Sequence, residues 1–254
     1  MPAMILRHLT SFTFLLPLLV AGCAVSPFQR AEGDVKGSPW AQASALTGEG
    51  QWQHQIFKGR QNTAYAPTTH EGRPALHARS DSGSSAMRYR MRLPAEAIGT
   101  LRFSWFVRQL NPAFDLTDRE SEDAVARVIL TFDGDRQTLS AKDHMLSELA
   151  QLITGEPLPY ATLMYVWDHE HPVGTVLEHP STRRIRMLVV KSGPGRLGQW
   201  ADQERDVLAD FQHAFGETPK ALTGIGLMTD GNNTRQLAEA WYGPVRLERQ
   251  VVQR

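Results

Sequence analysis

Residues 222–234 read Leu-Thr-Gly-Ile-Gly-Leu-Met-Thr-Asp-Gly-Asn-Asn-Thr. Gly224 and Gly226 alternate with Ile225 and Leu227, so a strand here has one apolar face and one bare face. Glycine inside a strand marks close approach of another surface. The turn that follows, Asp230-Gly231-Asn232-Asn233-Thr234, presents side-chain oxygens, because Asn and Asp bond their own backbone and tolerate left-handed geometry. The rest of the chain reads as strands built around this one.

Alternation recurs along the sequence. Met87, Tyr89, Met91 and Leu93 share one face, with Arg88, Arg90 and Arg92 on a solvated opposite face. Leu101–Val107 repeats the pattern, with Phe103 and Trp105 as core or groove wall. Ala124–Phe132 is the most regular strand; Trp52–Phe57, Ala75–Arg79, Ala161–Trp167, Arg184–Val190 and Trp241–Leu247 are others. The polar cluster Ser80–Ser85 predicts a hairpin between the runs it separates. Helical spacing of Met145, Leu146, Leu149, Leu152 and Ile153 predicts a helix over Ser140–Ile153. A second runs from an Asp202 cap to Phe215 and stops at Gly216, with Asp206, Asp210 and His213 on its polar side. With no regular βαβ alternation, the expected fold is mainly β: an antiparallel two-sheet sandwich or jelly roll with one or two short helices.

The N-terminus carries a different message. Arg7 and His8 precede a short apolar run ending Leu19-Val20-Ala21-Gly22-Cys23. The run is too short to span a bilayer and has the shape of a signal peptide. Its end resembles the lipobox of bacterial lipoproteins, which implies cleavage before Cys23, the only cysteine, and acylation there. Ala24 rather than Asp after the cysteine implies, by the same resemblance, the outer membrane; the periplasmic face is expected. The division is then 1–22 signal peptide, 23–50 flexible tether poor in periodicity, and 51–254 β-sandwich domain.

Composition bounds function. Lys and Arg total 27, as do Asp and Glu. That balance excludes an electrostatically driven nucleic-acid binder. No HExxH, Walker loop, nucleophile elbow or dinucleotide fingerprint occurs.

Arg127 is the anomaly, a guanidinium inside the apolar run 124–132. If buried it must be paired, because an isolated buried charge is very costly. Glu122 and Asp123 are near candidates and Asp230 a distant one.

From Leu101 onward a series of motifs, among them Leu101-Arg102-Phe103-Ser104-Trp105, Ala126-Arg127-Val128 and Gly224-Ile225-Gly226, resembles the bacterial domain-of-unknown-function family numbered 3047. The resemblance is carried by Leu101-Arg102-Phe103-Ser104-Trp105, Glu122-Asp123 with Ala126-Arg127-Val128, Tyr165-Val166-Trp167 and Val189-Val190-Lys191-Ser192-Gly193. It continues through Trp200 with Glu204-Arg205-Asp206, Asp210-Phe211, Ala214-Phe215-Gly216, Gly224-Ile225-Gly226, Thr229-Asp230 and Asn233-Thr234. It implies an envelope protein with a β-sandwich and no assigned activity. Asp206 and Asn232 depart from it: the family usually carries Asn at the first position and Asp at the second.

Three readings of function stay open. The first is a membrane-anchored lipoprotein that binds a carbohydrate or other envelope polymer, with Asp123, Arg127, Trp167, Trp200, Arg205, Asp206, Asp210, Asp230, Asn232 and Asn233 as candidate binding residues. The second is a polysaccharide hydrolase or lyase using Asp123 and Asp230 with Arg127. The third is a structural envelope component whose charged residues are core ion pairs. No cofactor is required, although the oxygens of the Asp230 loop suit Ca²⁺. The histidines of Asp168-His169-Glu170-His171 suit Zn²⁺ or Cu²⁺ but read better as a surface loop.

Overall fold

The computed structural model describes residues 35–44, 46 and 50–250. In chain order the strands are β1 (Trp52–Ile56), β2 (Ala64–His70), β3 (Arg73–Asp81), β4 (Ser85–Pro94), β5 (Ile98–Val107), β6 (Arg127–Asp133) and β7 (Ala161–Asp168). They continue as β8 (Val176–His179), β9 (Thr182–Ser192), β10 (Trp200–Asp206), β11 (Ala221–Met228), β12 (Leu237–Tyr242) and β13 (Arg246–Arg249). Among the described residues α1 (Pro39–Ala43) precedes β1, α2 (Ala141–Thr154) lies between β6 and β7, and α3 (Val207–Phe215) between β10 and β11.

The strands form two sheets packed as a sandwich, as the alternation implied. One sheet has seven strands in the order β1-β4-β11-β6-β7-β9-β8; the other has six in contact, β10-β5-β12-β3-β2, with β13 also against β5. All pairings are antiparallel except β7 with β9. On β6, Val128, Leu130 and Phe132 enter the core between the sheets, and Leu163, Tyr165 and Trp167 do so from β7. Their neighbours Arg127, Ile129, Thr131, Thr162 and Met164 therefore face outward. Ile225 and Leu227 of β11 are buried in the same core.

The expected hairpin across Ser80–Ser85 does not form. β3 pairs with β2 and β12, whereas β4 pairs with β1 and β11 in the other sheet. The turn carries the chain from one sheet to the other, because each strand has its own apolar face to bury. The second helix starts later than expected. Trp200–Asp206 is an edge strand on β5, and Asp206 caps α3 by accepting from Ala209 N at 3.0 Å. α2 follows the expected span, yet Met145, Leu149 and Leu152 are exposed rather than packed.

Part of the expected tether is folded onto the domain. Trp40 on α1 is 0% exposed, and its indole N–H donates to Gly243 O at 3.0 Å. Its ring lies 5.0 Å from that of Trp52, and Val35 joins the same core. A single aromatic anchor has no periodicity, so composition alone gave no sign of it. The signal peptide and Cys23 lie outside the described residues. Replacing Trp40 by Ala is expected to cost about 3–5 kcal/mol, as for other buried Trp truncations. Urea unfolding checks this; an unchanged midpoint would show that α1 is not part of the cooperative unit.

Candidate functional site

The bare face of β11 forms the floor of a groove. Gly226 sits between Arg88 of β4 and Ile129 of β6, and Gly224 between Arg90 and Thr131. The rows continue as Ile129–Met164 and Thr131–Thr162 into β7. Two missing side chains in mid-sheet leave a trough, and there is little room to fill it. A Cβ on Gly224 would stand 2.9 Å from Thr131 Oγ1 and 3.2 Å from Tyr89 O. Pro157, Leu158 and Pro159, with Ala150 of α2, wall one side, and Gln55 and Phe57 approach from β1. The cavity is about 400 Å³. A second groove of about 290 Å³ shares Gln55, Phe57, Arg88 and Glu156 with it and runs on over β1.

An ion cluster closes the opposite end. Arg127, 2% exposed, donates from Nε to Asp230 Oδ1 at 3.2 Å and from Nη2 to Asp230 Oδ2 at 3.1 Å. Its Nη1 bonds Glu122 Oε1, and Nη2 also reaches the Glu122 carbonyl at 3.2 Å. His179 lies 3.2 Å from the other Glu122 oxygen. Asp123 does not touch this guanidinium; it accepts from Asn233 N at 3.1 Å and from Thr234 N and Oγ1 at 2.8 Å. Asn233 Nδ2 bonds the Glu122 carbonyl at 3.3 Å, and Asn232 bonds Asn233. The loop after β11 and the loop before β6 are thus sewn together around one cation.

Glu122 and Asp230 share one guanidinium, so the charge of each acts on the other. Burial would raise Glu122, but Arg127 and then His179 hold it down to about 2. Asp230 moves the other way: complete burial lifts it well above the usual carboxylate range despite Arg127, and Glu122 and Asp123 add to the lift. Burial pulls Arg127 down, yet the surrounding acids keep its affinity for the proton above normal.

A family model described as "Protein of unknown function (DUF3047)" matches residues 50–246. The chain belongs to the DUF3047 family. No curated protein matches it. Among solved structures it is similar to the family 11 carbohydrate-binding module of the cellulase Lic26A-Cel5E of Clostridium thermocellum, at 7% identity and TM-score 0.38, covering 83% of this chain and 94% of that one. It is also similar to the xyloglucanase domain of NopAA, a type three effector from Sinorhizobium fredii, at 7% identity and TM-score 0.43, covering 81% and 96%. Likeness at this level carries nothing about a ligand for the present chain.

In this DUF3047 domain the sequence candidates separate into four places. Arg127 lines the groove, while Asp230, Asp123, Asn232 and Asn233 stand behind it as supports. Trp167 is a core residue, its N–H on Gly193 O at 3.1 Å. Trp200 belongs to the other sheet: Ala201 enters the core, so Trp200 turns outward against Phe106 and His70. Arg205 closes on Asp210 at 2.9 and 2.5 Å, and Tyr165 OH donates to the same carboxylate at 2.8 Å. Asp210 is therefore buried rather than on a polar helix face, and Asp206 is a helix cap. One constellation was expected; alternation places Arg205 and Tyr165 inside the sandwich and Arg127 outside it.

The paired-carboxylate chemistry of Asp123 and Asp230 is not supported. Both are buried and saturated by donors, and neither lines the groove. For the same reason Ca²⁺ at Asp230 would have to displace Arg127. Among the described residues no group of three or more His, Cys, Asp or Glu is arranged to hold a metal ion. His169 and His171 are tied to Asp168, whose carboxylate accepts from His169 N at 2.8 Å, His171 N at 2.7 Å and His171 Nδ1 at 2.7 Å. Groove residues not singled out from sequence are Ile129, Thr131, Thr162, Met164, Met228 and Glu156. The polar steps within the β6 and β7 alternation were a usable signal; Glu156, beyond the helix stop at Gly155, had none.

Arg127→Met should cost about 3–5 kcal/mol, since it strands buried carboxylates. Adding Asp230→Asn should recover part of that in urea unfolding; no recovery would mean that the pair is not the source. Glu122, with its depressed pKa, contributes stability present above its ordinary 4.5 and lost as pH falls toward about 2. Glu122→Gln should flatten that window of the acid-unfolding curve, and an unaltered curve would assign the window to another carboxylate.

Proposed function

We propose that this protein is an envelope lipoprotein whose β-sandwich binds a linear polysaccharide along the groove of the seven-stranded sheet. The observation that carries the reading is the groove's form. It is a half-open trough running across strands, and its two parts share Gln55, Phe57, Arg88 and Glu156. From β9 to β1 the sheet spans five inter-strand gaps, about 24 Å at the usual spacing, long enough for several rings of an extended chain. Ile129, Met164, Met228 and Phe57 offer surface for the C–H faces of sugar rings. Gln55, Thr131 and Thr162 offer donors and acceptors for hydroxyls. The buried Arg127 cluster frames the groove and keeps its end rigid.

Acylation at Cys23 would hold the domain at the periplasmic face of the outer membrane, since several acyl chains give stable anchoring. Cys23→Ser should then move the protein from the membrane to the soluble fraction. A wild-type protein already soluble in cell fractionation would refute the anchor.

For the binding reading, glycan arrays followed by calorimetry are the test. Gly226→Phe should abolish binding by filling the trough, and Trp200→Ala, on the opposite sheet, should leave it unchanged. Failure to bind any envelope polysaccharide, or loss of binding in the Trp200 variant alone, would overturn it.

A further inference from the structure

We infer that the polymer taken by this groove is acidic, with a carboxylate-bearing sugar seated where the groove runs over β1 and β4. The inference rests on the polysaccharide reading and adds the ligand's charge and its placement. Among the described residues the opening is lined by Lys58, Arg88 and Arg90 against one carboxylate, Glu156. Arg88 Nη1 donates to Glu156 Oε2 at 2.9 Å, and Arg90 Nη2 takes the other oxygen. Of these described residues, one carboxylate bridges two guanidiniums against three cations. A guanidinium carries five N–H donors, so most of the Arg90 fork remains for another acceptor. The Arg90 side chain is 56% exposed, which leaves that fork reachable. A planar carboxylate matches its geometry with two parallel hydrogen bonds. Gln53 and Gln55 line the same stretch and supply amide donors and acceptors.

The far end of the groove has the opposite character. There Arg127 is shared between Glu122 and Asp230, with Asp123 close behind. Fixed cations are outnumbered, so an anionic group is disfavoured at that end. The groove is thus polar along its length: an acidic sugar is attracted over β1 and β4, and a neutral stretch lies over β6 and β7.

Calorimetry on the mature chain with oligogalacturonate and its carboxyl-reduced counterpart separates charge from sugar backbone. The acidic form should bind at least about tenfold more tightly, the worth of one charge-assisted contact. High salt should narrow that gap. Arg90→Gln should weaken the acidic form several-fold and leave the reduced form unchanged, with Lys58→Gln as the second variant if the first unfolds. Equal affinities, or an Arg90 variant that weakens both forms alike, would overturn the inference while leaving the polysaccharide reading intact. Binding of neither form, with no response on a glycan array, would remove both.

Discussion

The guanidinium of Arg127 is the constraint on which the local architecture turns. It sits 2% exposed at the start of a strand that continues Val128-Ile129-Leu130, so it cannot be left alone in low dielectric. Its partners come from both sides of the chain: Glu122 from the segment just before β6 and Asp230 from the turn just after β11. Satisfying the cation therefore fixes the ends of two neighbouring strands. Backbone bonds extend the grip, with Asp230 N on Ala124 O and Ala124 N on the Asp230 carboxylate, each at 3.1 Å. Thr229 and Tyr242 complete it: Thr229 Oγ1 donates to Val125 O at 2.8 Å and Tyr242 OH to Met228 O at 2.6 Å. With so many bonds converging, the loop that carries the turn oxygens is a strut and not a ligand cradle.

That strut and the glycines of β11 make the groove between them. Gly224 and Gly226 remove two side chains from the middle of the outer face, and the ion cluster holds the strand ends in register beside them. A flat outer face would offer a ligand only tangential contact. A trough with an apolar floor and polar margins gives both area and direction. The wall from Glu156 to Pro159 is tied to β4 through the Arg88–Glu156 salt bridge at 2.9 Å, while the more exposed Arg90 gives the opening its positive character.

How much of this was legible follows from what each feature requires. The sandwich was readable because alternation is a local property and recurs strand by strand. The pairing of Arg127 was readable because burial of a charge forces an answer, and the bare face of β11 because glycines cannot fill it. What was not readable depended on which sheet each strand joins. Ser80–Ser85 looks like a hairpin turn but carries the chain between layers, and nothing within six residues distinguishes the two. Trp167, three residues beyond Met164 of the groove, points inward, as do Arg205 and Asp210, and Trp200 lies on the far sheet. Trp40 is buried through one long-range hydrogen bond and one aromatic neighbour, neither of which leaves a periodic trace.

Charge makes the same point at larger scale. The chain has 27 basic and 27 acidic residues, and from composition alone no surface has a sign. Strand geometry creates one. Alternation turns Arg88 and Arg90 to the same outer face of β4, two residues apart, while the loop chemistry of β6 and β11 gathers Glu122, Asp123 and Asp230 at the other end. The first group is near solvent and only partly compensated; the second is buried and internally bonded. A neutral protein thus presents a cationic mouth and an anionic stop on one sheet, and a ligand lying across the strands meets them in a fixed order.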